Sequence, residues 1–593
     1  MLNRALNRLT GRIIVAMAVT IALTALVACG ATAPTDSTAP AGDTAPVAQP
    51  AASTSGDSPA PTAVPAESSG SPQTADRGKY GGIVPMQDYA FPNLIFHPHE
   101  FTNQVKNISG IYNGLLEYDS ETDDPYDIVG DLAESWELQP DGVTFVFHLH
   151  ENAMWHDGTP VTAEDVVYSM DSLVNTEANR PQTLIIAPYY SAGNARAIDE
   201  HTVEIVTNNP APDFVSMIAT DAFKMMSKAW GESGVDTSKW ENGMGSGPFK
   251  PTKLAKDVSI ELERNENYWK EGLPYTDGSI HYYIADKGTA IGSYRTGQVL
   301  MATWPVTNLS NTEILELQES EAETVDVYLI PNTSLLGTLI NTTIEPFNDV
   351  RVRRAMHLAV DRAEFREIFG GGIAPMGTPF PPETWFGRTE EVASQMPGFR
   401  AGPDGGKHPG DIEEARRLLA EAGVPEGFEV NIMARTAVEY VDLAQLLADQ
   451  YRRHLGWEAT VQPIDSATGI TRYKDQDYQI AAQGTALLVG EPDPIIGKIF
   501  MPGGLWIQWS GWEAPQKFKD WFAAQSQELD RTKRAEILRE MEDYILTEDP
   551  GPLLVYYWSF RDQVVNKQIK NFHMPASLWT QLKHDRIWCD PAC

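Results

Sequence analysis

DLAESWELQPDGVTFVFHLHENAMWHDGTPVTAEDVVYSMDSL, residues Asp131 to Leu173, sets out three elements in a row, each marked by its own chemistry. Leu138-Gln139-Pro140-Asp141-Gly142 is a turn, because proline presets one backbone angle and glycine accepts the other. Val143-Thr144-Phe145-Val146-Phe147-His148-Leu149 alternates with period two and reads as a hairpin strand. After a second turn at His156-Asp157-Gly158-Thr159-Pro160, Thr162 caps a helix. Asp165 closes a capping box, and Val166, Val167, Met170 and Leu173 lie along one face.

Toward the C-terminus, capped helices alternate with short strands. Asp349 precedes Val352, Ala355, Met356, Ala359 and Val360, an apolar stripe of helical spacing. Asp411 with Glu414 opens a helix carrying Ala415, Leu418, Leu419 and Ala422, stopped by Gly423 and Pro425. Further helices run from about Glu439 to Leu455 and through Ile537, Leu538, Met541, Tyr544 and Ile545. Strands are expected at Phe428–Ile432 and Ala459–Pro463, and a first strand follows Gly81-Gly82. Alternating helices and strands argue for α/β layers.

Toward the N-terminus the character changes. Arg4, Arg8 and Arg12 precede 16 uncharged residues, Ile13 to Ala28, and Leu26-Val27-Ala28-Cys29 follows small residues. This is an export signal, too short for the roughly 20 apolar residues that span a bilayer. Cys29 stands where bacterial lipoproteins carry their acyl chains, so it is expected to be the lipidated N-terminus of an extracytoplasmic protein on the outer face of the cell membrane. Residues 29–78 are an Ala/Pro/Ser/Thr-rich tether without an aromatic residue, unable to bury a core. Such a coil lets the globular part reach away from the membrane.

Lys plus Arg number 45 against 81 Asp plus Glu, a formal charge of −36 that becomes −39 once residues 1–28, with three Arg and no acid, are removed. Nucleic acid is excluded as a partner on that balance. The remaining cysteines, Cys589 and Cys593, can close a small disulfide loop or stand as free thiols. His97-Pro98-His99-Glu100 and His148-Leu149-His150 are expected to pack or face solvent, and no metal or cofactor is expected. No Gly-x-Ser-x-Gly elbow, HExxH or phosphate loop points to catalysis.

Taken together, these stretches resemble the extracytoplasmic solute-binding proteins of ABC transporters, family 5, which holds the oligopeptide, dipeptide and nickel binders. Besides the opening block, Gly245-Ser246-Gly247-Pro248-Phe249 with Arg264-Asn265-Glu266-Asn267-Tyr268-Trp269 is similar to the family's second signature. Pro346 to Arg362 and Ala415 to Phe428 are similar to the third and fourth. The resemblance implies an α/β, two-lobed periplasmic-binding-protein-like clamp (type II, cluster C) with an extra inserted domain. Lobe I would comprise 79–118, 208–305 and 555–593, the inserted domain II 119–207, and lobe III 306–554. It implies a binder and no enzyme: a monomer that closes on a small-molecule solute, an oligosaccharide or a peptide, and delivers it to an ABC permease.

Two departures bear on the ligand. Where peptide-binding members hold an ammonium with an acid three positions before an acidic-Pro pair, Leu488 stands ahead of Glu491-Pro492. Glu491 or Asp493 would have to take that role. Arg295-Thr296-Gly297-Gln298-Val299-Leu300 also lacks the acids usual after its glycine. Tyr89, Phe91, Trp304, Gln483, Glu491, Asp493, Trp506 and Trp509 are the expected cleft residues, with Trp512 beside them, and the rings favour an oligosaccharide slightly over a peptide. The alternatives are a chemosensory receptor without transport and a secreted glycosidase, whose two carboxylates a count of 81 acids does not identify.

Overall fold

The computed structural model describes residues 80–89, 96–99, 105–122, 124, 126–175, 181–304, 307–436, 439–486, 490–575, 577, 579–590 and 593. Ten strands form one sheet, in the order Glu458–Ile464, Glu429–Arg435, Ile480–Ala486, Val325–Ile340, Leu553–Asn566, Met301–Ala302, Ile83–Asp88, Gly278–Tyr283, Ser259–Arg264 and Phe249–Ala255. Val325–Ile340 and Leu553–Asn566 are long antiparallel partners that run through both halves of the sheet. Their register shifts between Pro331 and Ser334 and again between Leu336 and Gly337.

Alternation within the strands divides the larger lobe's core in two. Val430, Ile432, Ala434, Leu336 and Ile340 face one side, under the helices Val350–Ala359 and Tyr440–Leu455. Met433, Ala481, Leu335 and Leu339 face the other, under Pro492–Phe500 and Arg531–Thr547. A period of two places successive residues on opposite faces, and both faces are covered by helices.

The opening block folds as read. Ala133–Leu138 pairs with Thr144–Leu149 across the turn, and Thr202–Val206 and Ala195–Ala197 complete a four-stranded sheet. Phe145, Phe147 and Leu149 are buried while His148 is exposed. Helix Ala163–Leu173 lies on this sheet, and Asp165 Oδ2 accepts from the Thr162 amide at 2.9 Å. Asp165 also takes the Lys228 amide at 2.8 Å and Trp155 Nε1 at 3.3 Å, so the capping residue ties three segments together.

Some expectations shift. The helix expected to open at Asp411 begins at Pro409 with His408 as its cap. Asp411 is buried and accepts from the Gly398 amide and from Arg400. Gly245 and Gly247 serve close backbone approach: a Cβ on either would meet the Ile111 carbonyl, at 2.0 Å and 2.6 Å. Cys589 and Cys593 are disulfide-bonded, with Cα atoms 5.5 Å apart. No helix among the described residues is long and apolar enough to cross a membrane.

Candidate functional site

Parallel strands that end side by side present their last residues together, and α/β sheets use that edge for ligands. Ile83–Asp88 and Met301–Ala302 are parallel neighbours with Gln87 opposite Ala302. Just beyond their ends, Tyr89 and Trp304 stack with planes 6° apart and centroids 6.2 Å apart. Trp579 lies 5.1 Å behind Trp304. Lys106 Nζ sits 4.8 Å from the Trp304 ring and 5.1 Å from that of Tyr89, bound to Asp88. Burial lowers the affinity of Lys106 for its proton, and Asp88 opposes that.

The larger lobe repeats the device. Arg435 ends the strand Glu429–Arg435, and Gln483 lies on its parallel neighbour. Arg435 Nη2 donates to Gln483 Oε1 at 3.0 Å, and the guanidinium lies 5.1 Å from the Tyr440 ring and 6.0 Å from that of Tyr473. Glu439, just before the helix Tyr440–Leu455, accepts from the Tyr557 hydroxyl at 3.0 Å. Burial pushes the Glu439 carboxyl up from its ordinary value, with the Tyr557 bond and Arg561 working against it.

Arg561 joins the two walls. It stands on the central strand next to the register break, and its Nη2 donates to Ser334 Oγ at 3.1 Å. Its charge acts on Tyr89 from one lobe and on Tyr440 and Glu439 from the other. Asp562 beside it accepts from the Thr307 amide at 3.1 Å and from the Thr307 hydroxyl. Charged and phenolic groups thus gather at the strand ends and beside the register break: Lys106 with Tyr89 and Trp304, Arg435 with Tyr440 and Gln483, and Arg561 with Ser334.

Of the residues expected from sequence, Tyr89, Trp304 and Gln483 are brought to this edge. Phe91 and Cys29 lie outside the described residues. Trp506 is wholly buried among Ile495, Ile499, Phe500 and Phe518, a core residue where a cleft residue was expected. Helix Leu505–Ser510 turns that indole inward because packing it removes the most apolar area from water. Trp509, 5% exposed, stacks on Tyr473 with centroids 4.8 Å apart. Trp512 is buried too, its Nε1 donating to Asp549 at 3.1 Å.

Glu491 caps the helix Pro492–Phe500 and Asp493 lies in its first turn. Asp493 is committed to Arg534 at 3.2 Å and Ser526 at 2.9 Å, with a further bond from Gln525. Burial drives both carboxyls well above the ordinary range, and Asp213 pushes them further. Asp493 thus already has its partners within the protein. His99 is likewise engaged, with Lys224 O at 2.9 Å and Ser172 Oγ at 3.1 Å. His150 lies against the Trp269 ring at 5.0 Å.

The sequence reading missed Arg435, Glu439, Tyr440, Tyr557 and Arg561. The available signal was charge out of place: Arg561-Asp562 follows the apolar run Leu553–Trp558 within one strand, and Arg435 follows Ile432-Met433-Ala434 at the end of another.

Comparison with known proteins agrees with this architecture. The family model described as bacterial extracellular solute-binding proteins, family 5 Middle, matches residues 127–504. The dipeptide-binding protein of Escherichia coli is 23% identical over 510 residues, covering 80% of this chain and 89% of that one. The periplasmic oligopeptide-binding protein OppA of the same species is 26% identical over 492 residues, covering 78% and 84%. Among solved structures, the substrate-binding protein CtaP of Listeria monocytogenes superposes with a TM-score of 0.70 at 19% identity, covering 86% of this chain and all of that one. The periplasmic binding protein DppA of Helicobacter pylori, in complex with peptide STSA, gives 0.67 at 19% identity, covering 86% and 98%. These structures share the two-lobed fold. The chain belongs to the bacterial extracellular solute-binding proteins of family 5, whose members here are binders and not enzymes.

Proposed function

We propose that this protein is the lipid-anchored binding component of an ABC importer, closing on a peptide-like solute and presenting it to a membrane permease. The observation that carries the reading is the two-lobed fold shared with known binding proteins, together with the aromatic and charged groups at its strand ends, where Tyr89 stacks on Trp304 and Arg435 lies against Tyr440. Hinged lobes and a site between them let the ligand stabilise the closed form. The names of its relatives, dipeptide- and oligopeptide-binding proteins, favour a peptide. The oligosaccharide reading loses its main support with Trp506 and Trp509 in the core. In this reading lobe I is 79–118, 208–305 and 555–593, domain II 119–207 and lobe III 306–554, the connections that cross between lobes act as the hinge, and the chain works as a monomer.

Cys29 carries the lipid, and residues 30–78 hold the clamp near its permease at high effective concentration. Mass spectrometry of solute released on denaturing the purified protein tests the capture function: a stoichiometric small molecule is expected. A preparation that is always empty, and that binds no member of a mixed peptide library by calorimetry, refutes it. Fatty-acid labelling tests the anchor, and equal label in wild type and Cys29→Ala refutes it.

A further inference from the structure

Away from the strand ends, a cleft lies between residues 117–120 and the C-terminal segment 571–587, with Glu117, Ser120, Gln581, Lys583, Asp585 and Arg586 on its wall. Two acceptors there have no donor. Asp585 is 3% exposed, and its Oδ2 is buried without a hydrogen-bond partner among the described residues. The same is true of Gln581 Oε1. Turning that amide round does not help, because its Nε2 donates to the Asp119 carbonyl and an oxygen in its place would face another oxygen. The cations of the cleft are already spent. Lys583 reaches Glu117 and, at 2.9 Å, Asp131; Lys270 reaches both of these carboxylates at 2.7 Å; Arg586 reaches Glu121 and, at 3.7 Å, Glu117. Glu117, Glu121, Asp131 and Asp585 are thus four acids against the three bases Lys270, Lys583 and Arg586, one positive charge short. His584 does not supply it, since its Nε2 is bonded to the Thr303 carbonyl at 3.1 Å and burial lowers its affinity for a second proton. Asp221 and Lys224 nearby match each other.

We infer that this cleft is a binding site for the primary ammonium group of a small amine, held by Asp585 Oδ2 and Gln581 Oε1, and separate from the solute captured between the lobes. An ammonium brings three N–H donors and one positive charge, which are what the wall lacks. Water satisfies the hydrogen bonds but leaves the buried charge uncompensated, and a quaternary ammonium brings the charge without a donor. Arg586 acts on Asp585 through its charge, yet its closest carboxylates are Glu121 and Glu117, so Asp585 keeps an oxygen for the ligand. The backbone of Asp585 is also tied to the start of the fold: its carbonyl accepts from the Tyr275 amide at 3.1 Å, and the Tyr275 carbonyl accepts from the Gly81 amide at 3.0 Å.

Urea unfolding of the whole protein in methylammonium chloride, against potassium chloride and tetramethylammonium chloride at equal ionic strength, tests this. A ligand that binds only the folded state raises the midpoint with its concentration. Methylammonium should raise it in a saturable way and slow amide exchange across residues 571–587, and the other two salts should not. Asp585→Asn should weaken the methylammonium effect at least about tenfold. Without amine, Asp585→Asn should be no less stable than wild type, because it removes the uncompensated charge. Equal midpoints in the three salts overturn the inference without recourse to any variant, and so does a methylammonium effect that survives Asp585→Asn. A marked loss of stability in Asp585→Asn alone would mean that Asp585 already has its partner inside the protein, and it refutes the site as well. Solute capture between the lobes is judged apart from these outcomes, by what copurifies.

Discussion

Arg534 is the most exacting place to test the ionic architecture. It is 3% exposed, and its two terminal nitrogens reach Asp213, one at 2.9 Å, while Nη2 also reaches Asp493 at 3.2 Å and Nε reaches Gln525 at 3.1 Å. Asp213 belongs to the segment packed against the four-stranded sheet, and Arg534 to the core under the large sheet, so the pair links two separate cores. Removing one member of a buried pair costs about 3–5 kcal/mol, because the other is left charged and dry. Here the loss falls mainly on Asp213, whose remaining donor is the Asp493 amide at 3.3 Å. Asp493 keeps Ser526 and Gln525. We therefore expect Arg534→Met to cost about 4 kcal/mol, and Asp213→Asn on that background to restore about 2 kcal/mol by removing the stranded charge. Urea unfolding followed by tryptophan fluorescence, with amide exchange in the helix Arg531–Thr547 identifying the phase concerned, measures both. A cost for Arg534→Met below about 1 kcal/mol, or strict additivity of the two substitutions, would refute the reasoning.

Three other perturbations follow from packing and burial. Trp506→Ala should cost about 3–5 kcal/mol, since the cavity opens among Ile495, Phe500 and Phe518, and an unchanged urea midpoint would return this indole to the surface. Glu542 is fully buried and its carboxyl is pushed up to about 8 by burial, with Arg388 pulling it back from 3.2 Å. A raised carboxyl stabilises the fold below its unfolded value and loses that contribution as pH rises through its folded value. Wild type should therefore weaken relative to Glu542→Gln between about pH 4.5 and pH 8, by up to about 1 kcal/mol per unit, and parallel pH profiles would contradict this. Gly247→Ala places a Cβ 2.5 Å from the Gly110 carbonyl, where backbone cannot yield, so a loss of about 3 kcal/mol is expected and a midpoint within experimental error would disprove the close-approach account.

What could be read from sequence was local chemistry. The capping box at Thr162 and Asp165, the hairpin ending in Leu149, the stripe from Val352 to Val360 and the stop at Gly456 are each specified within a few residues, and each folds as expected. The same local logic raised the expectation of an export signal and a tether, which lie outside the described residues, and four ordered blocks pointed to the family. The site was legible only in part. Tyr89 was expected just after the first strand and lies there, whereas Trp506 turns into the core, since an indole in a short amphipathic helix gives no sign of which way it points.

The tertiary structure decided everything that depends on distant segments meeting. Arg435 lies against Tyr440 and Arg561 reaches Ser334, and neither position says by itself that its Nε will be buried without an acceptor among the described residues. Asp493 looks available in one dimension and proves committed to Arg534 in three. Caps, turns and amphipathic stripes arise from interactions a few residues apart, so sequence determines them. Whether a buried charge is satisfied depends on which partners the sheet order brings within hydrogen-bonding distance, and that is a property of the assembled fold.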